Sequence, residues 1–445
     1  MALAVNLFYI CKIYLHNMSA QKLKNRWLIA ASAVGIHISI GSVYAYSVMT
    51  KPVGKIFAVD ESVIKWAFKI AILLLGCSAA ILGRWVEKVG PRISGTTAGL
   101  FYGAGILGSG LAVQTASLPL FLICYGLIGG IGLGIGYITP VSTLVKWFPD
   151  RRGLATGMAI MGFGFAALLF GPLMQKLFDA VGVANAFYIL GVVYLILILS
   201  SAQYIERPPA GYLPEGFNPG EGKTIKKDIW YIDAHEALKT TRFYYIWIMM
   251  FINITCGIAI ISAASPMVQE KLKYTPMQAA AVVGLIGVFN GLGRILWSGL
   301  SDYLGRANVY ILFFAFQIFA FYFLPGIAAE ILFLIILFTV ITMYGGGFAT
   351  LPAFLGDLFG TKQLGAIHGL VLTAWGLAGI AGPTIYDVVK KATGSLAKTL
   401  EIFSGLFVIA LIVSVLMKWI IIKARREQSP QQLAKDYGYG NANNQ

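Results

Sequence analysis

Charge is scarce in this chain: Asp, Glu, Lys and Arg together make up 12% of its 445 residues, about half the share found in ordinary soluble domains. Acid is scarcer still, with 19 Asp and Glu against 34 Lys and Arg, and every acid falls in a loop or at the end of an apolar run. The four histidines, at positions 16, 37, 235 and 368, form no local cluster. The four cysteines, Cys11, Cys77, Cys124 and Cys256, show no paired spacing. These absences exclude a local zinc site, a disulfide framework and a serine-histidine-acid arrangement in the loops. No enzyme activity, no metal and no cofactor is expected. A phosphate-binding loop is also missing. The run "GGIGLGIG" (Gly129 to Gly136) imitates one, but no strand precedes it and it lies inside an apolar stretch. Alternate small residues suit a close helix-packing face instead.

What the chain has is apolar length. It is 58% hydrophobic, with a mean hydropathy of +0.76. Its apolar residues cluster into twelve runs, near 27–49, 63–84, 93–114, 118–146, 153–176, 185–204, 243–267, 277–299, 307–327, 330–356, 364–387 and 398–422. An α-helix needs about 20 such residues to cross the roughly 30 Å of hydrocarbon in a bilayer. No alternating barrel pattern is visible, so the spans read as helices whose backbone groups are satisfied internally. The fold class is therefore an all-α membrane protein with twelve transmembrane helices, and its first partner is the lipid bilayer.

The net charge of +15 does not point to nucleic acid. With both termini inside, 23 of the 34 Lys and Arg fall in inside segments, 9 fall outside, and two, Lys69 and Arg294, fall within spans. This positive-inside bias sets an orientation with both termini cytoplasmic. Residues 1 to 17 lack the ordered regions of a signal peptide. They read as a loose leader or as a start placed too early, with Met18 as the alternative beginning.

The sequence divides into a leader (1–25), six spans (26–204), a polar loop (205–240), six further spans (241–422) and a polar tail (423–445). The halves repeat. "GRWVEKVGPR" after span 2 answers "SGLSDYLGR" after span 8, and "GLATGMAIMGFGFAALLFGP" from Gly153 answers "GAIHGLVLTAWGLAGIAGP" from Gly365. Paired six-helix halves are a transporter architecture that holds substrate between them near the bilayer midplane.

The loops after spans 2 and 8 resemble the signature of the major facilitator superfamily. "GGIGLGIGYITPVSTLVKWFPDRRGLATG", "RPPAGYLP" and "FNGLGRILWSGLSDYLGR" together resemble its oxalate/formate antiporter family, prokaryotic relatives of the monocarboxylate transporters. The resemblance covers nearly all of residues 26 to 425 and implies two pseudo-symmetric halves that alternate in access.

Arg294 carries the functional expectation. A cation at a helix centre is costly and normally faces a polar cavity or a partner, and no membrane acid is available to pair with it. Gly287, Asn290 or Gly291, Arg294 and Ser298 form one small and polar stripe at helical spacing. That stripe is expected to line the central cavity, with the guanidinium as a carboxylate receptor. The resemblance adds that oxalate exchangers carry an arginine on span 8, which Arg294 matches, and a lysine on span 11, whose place Trp375 takes. A single cation favours a monocarboxylate over a dianion. The resemblance also places Asn290 where proton-coupled relatives carry an aspartate.

His37 and Tyr44 share a face of span 1. Tyr137, Tyr344 and Trp375 lie beside or among glycines on spans 4, 10 and 11. All five are candidate substrate contacts, and each has a packing role as its alternative. His368 reads as structural, and Lys69 as a snorkelling or vestibule cation. By the resemblance, Glu87, Arg92, Asp302 and Arg306 match the residues that latch the cytoplasmic ends of the halves, although Glu87 replaces the usual aspartate.

The expected function is secondary transport of a lactate-, pyruvate- or formate-like anion, by proton symport or anion exchange, in an inner membrane and as a monomer. Alternatives are a dicarboxylate exchanger and a non-transporting carboxylate sensor. A proton-driven exporter of cations lacks its membrane acid.

Overall fold

The computed structural model describes residues 23–216 and 232–427. Within them the chain is helical, with no strand, and twelve helices are long and apolar enough to cross a membrane. They are α1 Arg26–Ala45, α2 Val63–Val89, α3 Pro91–Gln114, α4 Leu118–Trp147, α5 Arg152–Val181, α6 Val183–Tyr204, α7 Thr241–Ile261, α8 Ala281–Leu304, α9 Arg306–Gly326, α10 Glu330–Phe359, α11 Leu364–Thr393 and α12 Leu396–Arg425. All twelve expected spans are present. Met18, His16 and Cys11 lie outside the described residues, as does most of the expected leader and tail.

The spans end where backbone chemistry ends them. Gly90, Gly182, Gly305 and Gly360 each take a positive φ of 81 to 87° between consecutive helices, a conformation that costs glycine little. The next helix then restarts within a residue or a few. The expected first span is not one straight helix. Its α-helical part stops at Ile40, a tighter turn covers Gly41–Ala45, and a separate helix runs over Ser47–Phe57. The bend coincides with a close approach: a side chain at Gly41 would lie 2.6 Å from the Phe163 Cα of α5.

Large apolar side chains point outward around the whole bundle, including Ile81, Ile196, Phe319, Ile331, Ile412 and Trp419. In water such a belt would be a liability; in hydrocarbon it is the solvent-matched face. Inside, α1–α6 meet α7–α12 along two long seams, α2 against α11 and α5 against α8. Glycines permit both contacts. A Cβ on Gly83 would sit 2.7 Å from the Ala366 Cα, and one on Gly157 would sit 2.8 Å from the Arg294 carbonyl oxygen. By contrast, Gly284 and Gly287, toward the other end of α8, have no neighbour within contact range. The bundle is therefore closed at the end that carries the α2–α3 and α8–α9 turns.

The described ends of the long loop dock on that closed end. Trp147 Nε1 donates to the Glu206 carbonyl at 2.7 Å, and Tyr212 packs edge-on against Trp147 with ring centroids 4.9 Å apart. On the other side, Gln363 accepts from the Ala234 amide at 3.0 Å and donates to Asp233 at 2.7 Å.

Candidate functional site

The helix carrying Arg294 runs over Pro276–Leu304. It opens on a capping box, in which Thr275 accepts from the Gln278 amide and Gln278 accepts from the Thr275 amide, with Pro276 at the first helical position. From that start the 3.6-residue period brings Asn290, Gly291, Arg294 and Ser298 to one face, and the structure turns this face toward α5 and the centre. Asn290 is 4% exposed, and Arg294 and Ser298 are fully buried.

Arg294 is held but not neutralised. Its Nε donates to Asn290 Oδ1 at 3.2 Å and its Nη1 donates to the Ile160 carbonyl of α5 at 3.0 Å. Its Nη2 has no hydrogen-bond partner. The guanidinium carbon lies 5.4 Å from the Phe348 ring centroid and 5.8 Å from that of Phe163. Ring faces offer a cation weak attraction, about 0.5 to 2 kcal/mol. That is small beside the several kcal/mol that desolvating an ion costs.

Around this cation the structure brings together side chains from five other helices. Tyr44 from α1 stands edge-on to Phe163 of α5, with centroids 4.8 Å apart, and 6.4 Å from Trp375 of α11. Tyr137 of α4 lies 5.6 Å from Phe163 and 5.2 Å from Trp375. Trp375 lies 4.7 Å from Phe348 of α10, which lies 5.3 Å from Tyr344. Tyr137, Tyr344 and Trp375 are all fully buried, and the partly exposed Tyr44 neighbours Arg294 and Tyr344. The Tyr137 hydroxyl and the indole N–H of Trp375 have no partner, and the Tyr44 and Tyr344 hydroxyls, which stand beside each other and near Arg294, make no bond of full hydrogen-bond geometry.

Buried polar groups are normally paired. Here four donors and one guanidinium nitrogen are left unpaired in one aromatic cage, with no carboxylate against Arg294 among the described residues. Such a cage can satisfy itself by taking up an anion that accepts several hydrogen bonds. No group of His, Cys, Asp and Glu among the described residues could hold a metal.

His37 is placed differently. Its ring nitrogens meet the Ala159 carbonyl at 2.8 Å and the Tyr137 carbonyl at 3.1 Å, so it ties α1 to α5 and α4. A neutral ring can donate to one of these oxygens. Lys69, toward the end of α2 away from the α2–α3 turn, lies over the Trp66 ring at 4.7 Å rather than among the cage rings. Phe163, Phe348 and the Ile160 carbonyl are cage members that the sequence did not single out. A phenylalanine in an apolar span carries no signal of its own.

The closed end is built on the repeat. Neither α5 nor α11 has a side chain that caps its own N-terminus. The cap comes from the other half. Asp302 accepts from the Gly153 and Leu154 amides at 3.0 and 3.1 Å, and Glu87 accepts from the Gly365 amide at 2.8 Å. Asp302 also pairs with Arg306, which reaches Asp357 at 3.2 Å; Asp357 in turn pairs with Arg152 of α5 at 3.2 Å. Glu87 pairs with Lys146 at 2.6 Å. Arg92 lies instead 3.8 Å from Glu206. Lys146, Arg152 and Asp357 escaped the sequence reading because each meets a partner on a helix distant in sequence, Lys146 within its own half and Arg152 and Asp357 across the seam.

One consequence concerns the free hydroxyls. Replacing Tyr137 by phenylalanine removes no hydrogen bond from the empty protein, and replacing Tyr44 or Tyr344 removes only the loose contacts that Tyr44 makes with Tyr344 and Arg294, so thermal stability should hold. A hydrogen bond to a charged group contributes about 1.5 to 3 kcal/mol, so each hydroxyl that contacts an anion should cost about tenfold or more in affinity when removed. Ligand-induced melting shifts read both quantities. An unstable variant with normal binding would identify a packing tyrosine.

Comparison with known proteins agrees with this architecture. The Major Facilitator Superfamily profile matches residues 32–383. The oxalate:formate antiporter of Oxalobacter formigenes is 29% identical over 365 residues, which cover 81% of this chain and 84% of that protein. Apicoplast pyruvate carrier 1 of Toxoplasma gondii is 23% identical over 378 residues, 71% of this chain and 68% of that one. Among solved structures, the superfamily transporter FucP in its outward conformation aligns with a TM-score of 0.67 at 15% identity, covering 87% of this chain and 98% of its own. The chain belongs to the Major Facilitator Superfamily, as a multi-pass membrane transporter of twelve helices.

Proposed function

We propose that the protein moves small monocarboxylates, such as lactate, pyruvate or formate, across the membrane by alternating access. The observation that carries this reading is the unpaired Nη2 of Arg294, which shares an aromatic cage with four other unpaired donors and no acid. A carboxylate supplies the missing charge and up to four acceptor sites. One guanidinium neutralises one carboxylate. A dianion would keep a net charge in a dehydrated site, where that charge costs most. Relatives named for oxalate and formate exchange and for pyruvate carriage support an organic anion as cargo.

In this reading Arg294 binds the carboxylate. Asn290 holds the guanidinium, and Tyr44, Tyr137, Tyr344 and Trp375 orient the anion. His37 fixes the wall that supports them. Residues 26–204 and 241–422 rock as two halves, with Glu87 and Asp302 closing the cytoplasmic end and Lys69 standing in the outer vestibule. The protein works as a monomer in the inner membrane, with both termini cytoplasmic, and performs no enzymatic step.

The test is uptake of labelled lactate, pyruvate, formate and oxalate into proteoliposomes, with and without a counter-anion inside. Saturable uptake of a monocarboxylate above oxalate is expected. Uptake of oxalate alone would assign a dicarboxylate exchanger. Binding without any flux would assign a sensor.

A further inference from the structure

One ionisable ring at the cage remains unused by that reading. His368 lies on α11, two turns before Trp375 and on the same face. It is fully buried, and neither of its ring nitrogens has a hydrogen-bond partner. Its ring lies 5.8 Å from that of Tyr137, across the boundary between the halves. The contrast with His37, whose two nitrogens both meet carbonyls, is complete. A buried imidazole left without partners gives up the hydrogen bonds water would have supplied. Such a group fits a protein that passes through a second state in which a partner arrives.

The groups facing His368 narrow what that partner can be. Tyr137 comes from α4 and His37 from α1. Arg294 of α8 and Tyr344 of α10 belong to the cage through Phe348 rather than through His368. From α2 comes Glu87, one turn inward at Gly365, already engaged by Lys146. Among the α7 residues that meet α11, Trp247 donates to Thr373 at 2.9 Å, and Thr255 and Ile258 lie against Gly382, and none of these ionises near neutrality. The ionisable residues of α12 lie at its two ends. His368 therefore has neutral groups against it and no acid to itself.

We propose that His368 is the proton-binding group that couples carboxylate movement to protons, a proposal that rests on the monocarboxylate reading above. With the cage empty, nothing supplies the negative charge that a buried imidazolium needs. An entering carboxylate brings the negative charge beside which an imidazolium is tolerated. A proton from the medium then adds to a ring nitrogen lone pair while the carboxylate stays ionised on Arg294. One proton and one monocarboxylate move together, and the returning carrier is left with the charge it began with. The boundary position supplies the gate: Tyr137 and His368 belong to opposite halves, so parting of the inner ends uncovers the ring and lets the proton leave with the anion.

The first measurement is proton uptake by the purified protein in a weakly buffered indicator solution as lactate, pyruvate or formate is added near pH 7. Wild type should take up about one proton per carboxylate bound. His368→Gln should bind the acid, as seen by melting shift, and take up none. In proteoliposomes an inward proton gradient should stimulate wild-type uptake, while His368→Gln should lose that stimulation and keep exchange of internal for external carboxylate. Carboxylate binding without proton uptake in wild type would overturn the proposal, as would a variant with an undiminished gradient response. If wild type binds and moves no carboxylate at all, it is the transport reading that fails. Should neither His368→Gln nor His368→Asn fold, nitrogen NMR of the wild-type histidine rings with and without substrate decides the matter: a ring that gains a proton on binding supports the proposal, and no ring gaining one overturns it.

Discussion

Replacing Arg294 by alanine should reduce carboxylate transport to about one hundredth of wild type or less, without destabilising the empty protein. The first half follows from the bonds an anion makes there. Two charge-assisted hydrogen bonds contribute about 1.5 to 3 kcal/mol each, and each 1.4 kcal/mol is tenfold in affinity. The second half follows from burial. Arg294 is fully buried with one guanidinium nitrogen unbonded and no acid beside it, so its removal relieves a desolvation cost that partly offsets the bonds lost to Asn290 and Ile160. Melting temperature without substrate should stay within a few degrees of wild type, while the substrate-induced shift should vanish. Arg294→Lys should be intermediate, because an ammonium keeps the charge but not the planar fork. A folded Arg294→Ala protein that transports normally would reduce the arginine to a helix strut. A variant that melts early yet still binds carboxylate would do the same.

Substituting Asp302 by asparagine should open the closed end. The aspartate accepts from two backbone amides of α5, at 3.0 and 3.1 Å, and pairs with Arg306. It does so where α5 offers no cap and no acid in its own first turn. Losing an N-cap costs about 1 kcal/mol, and the lost interaction with the helix dipole adds up to about 1 kcal/mol more. An asparagine amide also turns one donor against another. About 2 to 3 kcal/mol against one conformer shifts the balance of the two by roughly 30- to 150-fold.

The readout is a cysteine placed at Ala349, whose carbonyl accepts from Thr156 Oγ1 across the seam at 2.6 Å. Its labelling from the side of the closed end by a membrane-impermeant maleimide should accelerate by at least tenfold in the Asp302→Asn background, and net transport should fall. Glu87→Gln should act in the same direction but more weakly, since Glu87 caps α11 through one amide. Equal labelling rates in wild type and Asp302→Asn would separate this acid from gating and leave it a solvated loop residue.

The class of the protein was readable from local quantities. Run length, hydropathy and the distribution of Lys and Arg require no knowledge of contacts, because the bilayer imposes them on each segment separately. The repeat was readable for a related reason. Each half must solve the same packing problem, so Glu87 and Asp302, and Gly153 and Gly365, recur at nearly one offset. What the repeat did not disclose is its crossing over: each acid caps a helix of the opposite half, and the partners that complete the latch, Lys146, Arg152 and Asp357, come from other helices again.

Arg294 stood out in the sequence because an unpaired charge in an apolar span is expensive wherever the helix sits. The rest of its site did not stand out. Phe163 and Phe348 look like any buried ring, and the three tyrosines and Trp375 gain their meaning from hydroxyls and an indole N–H that nothing satisfies. The two membrane histidines show the limit most plainly. In sequence, His37 and His368 are alike, each a lone imidazole near glycines in an apolar run. In the folded chain one has both nitrogens within reach of carbonyls 100 and 122 residues away and can donate to either, and the other has a partner at neither. Whether a polar group is satisfied is a property of what lies within about 3 Å of it, and in a bundle those neighbours arrive from distant helices. The sequence by itself determined a twelve-helix transporter with one central cation; which donors are left free around that cation was decided only when the helices came together.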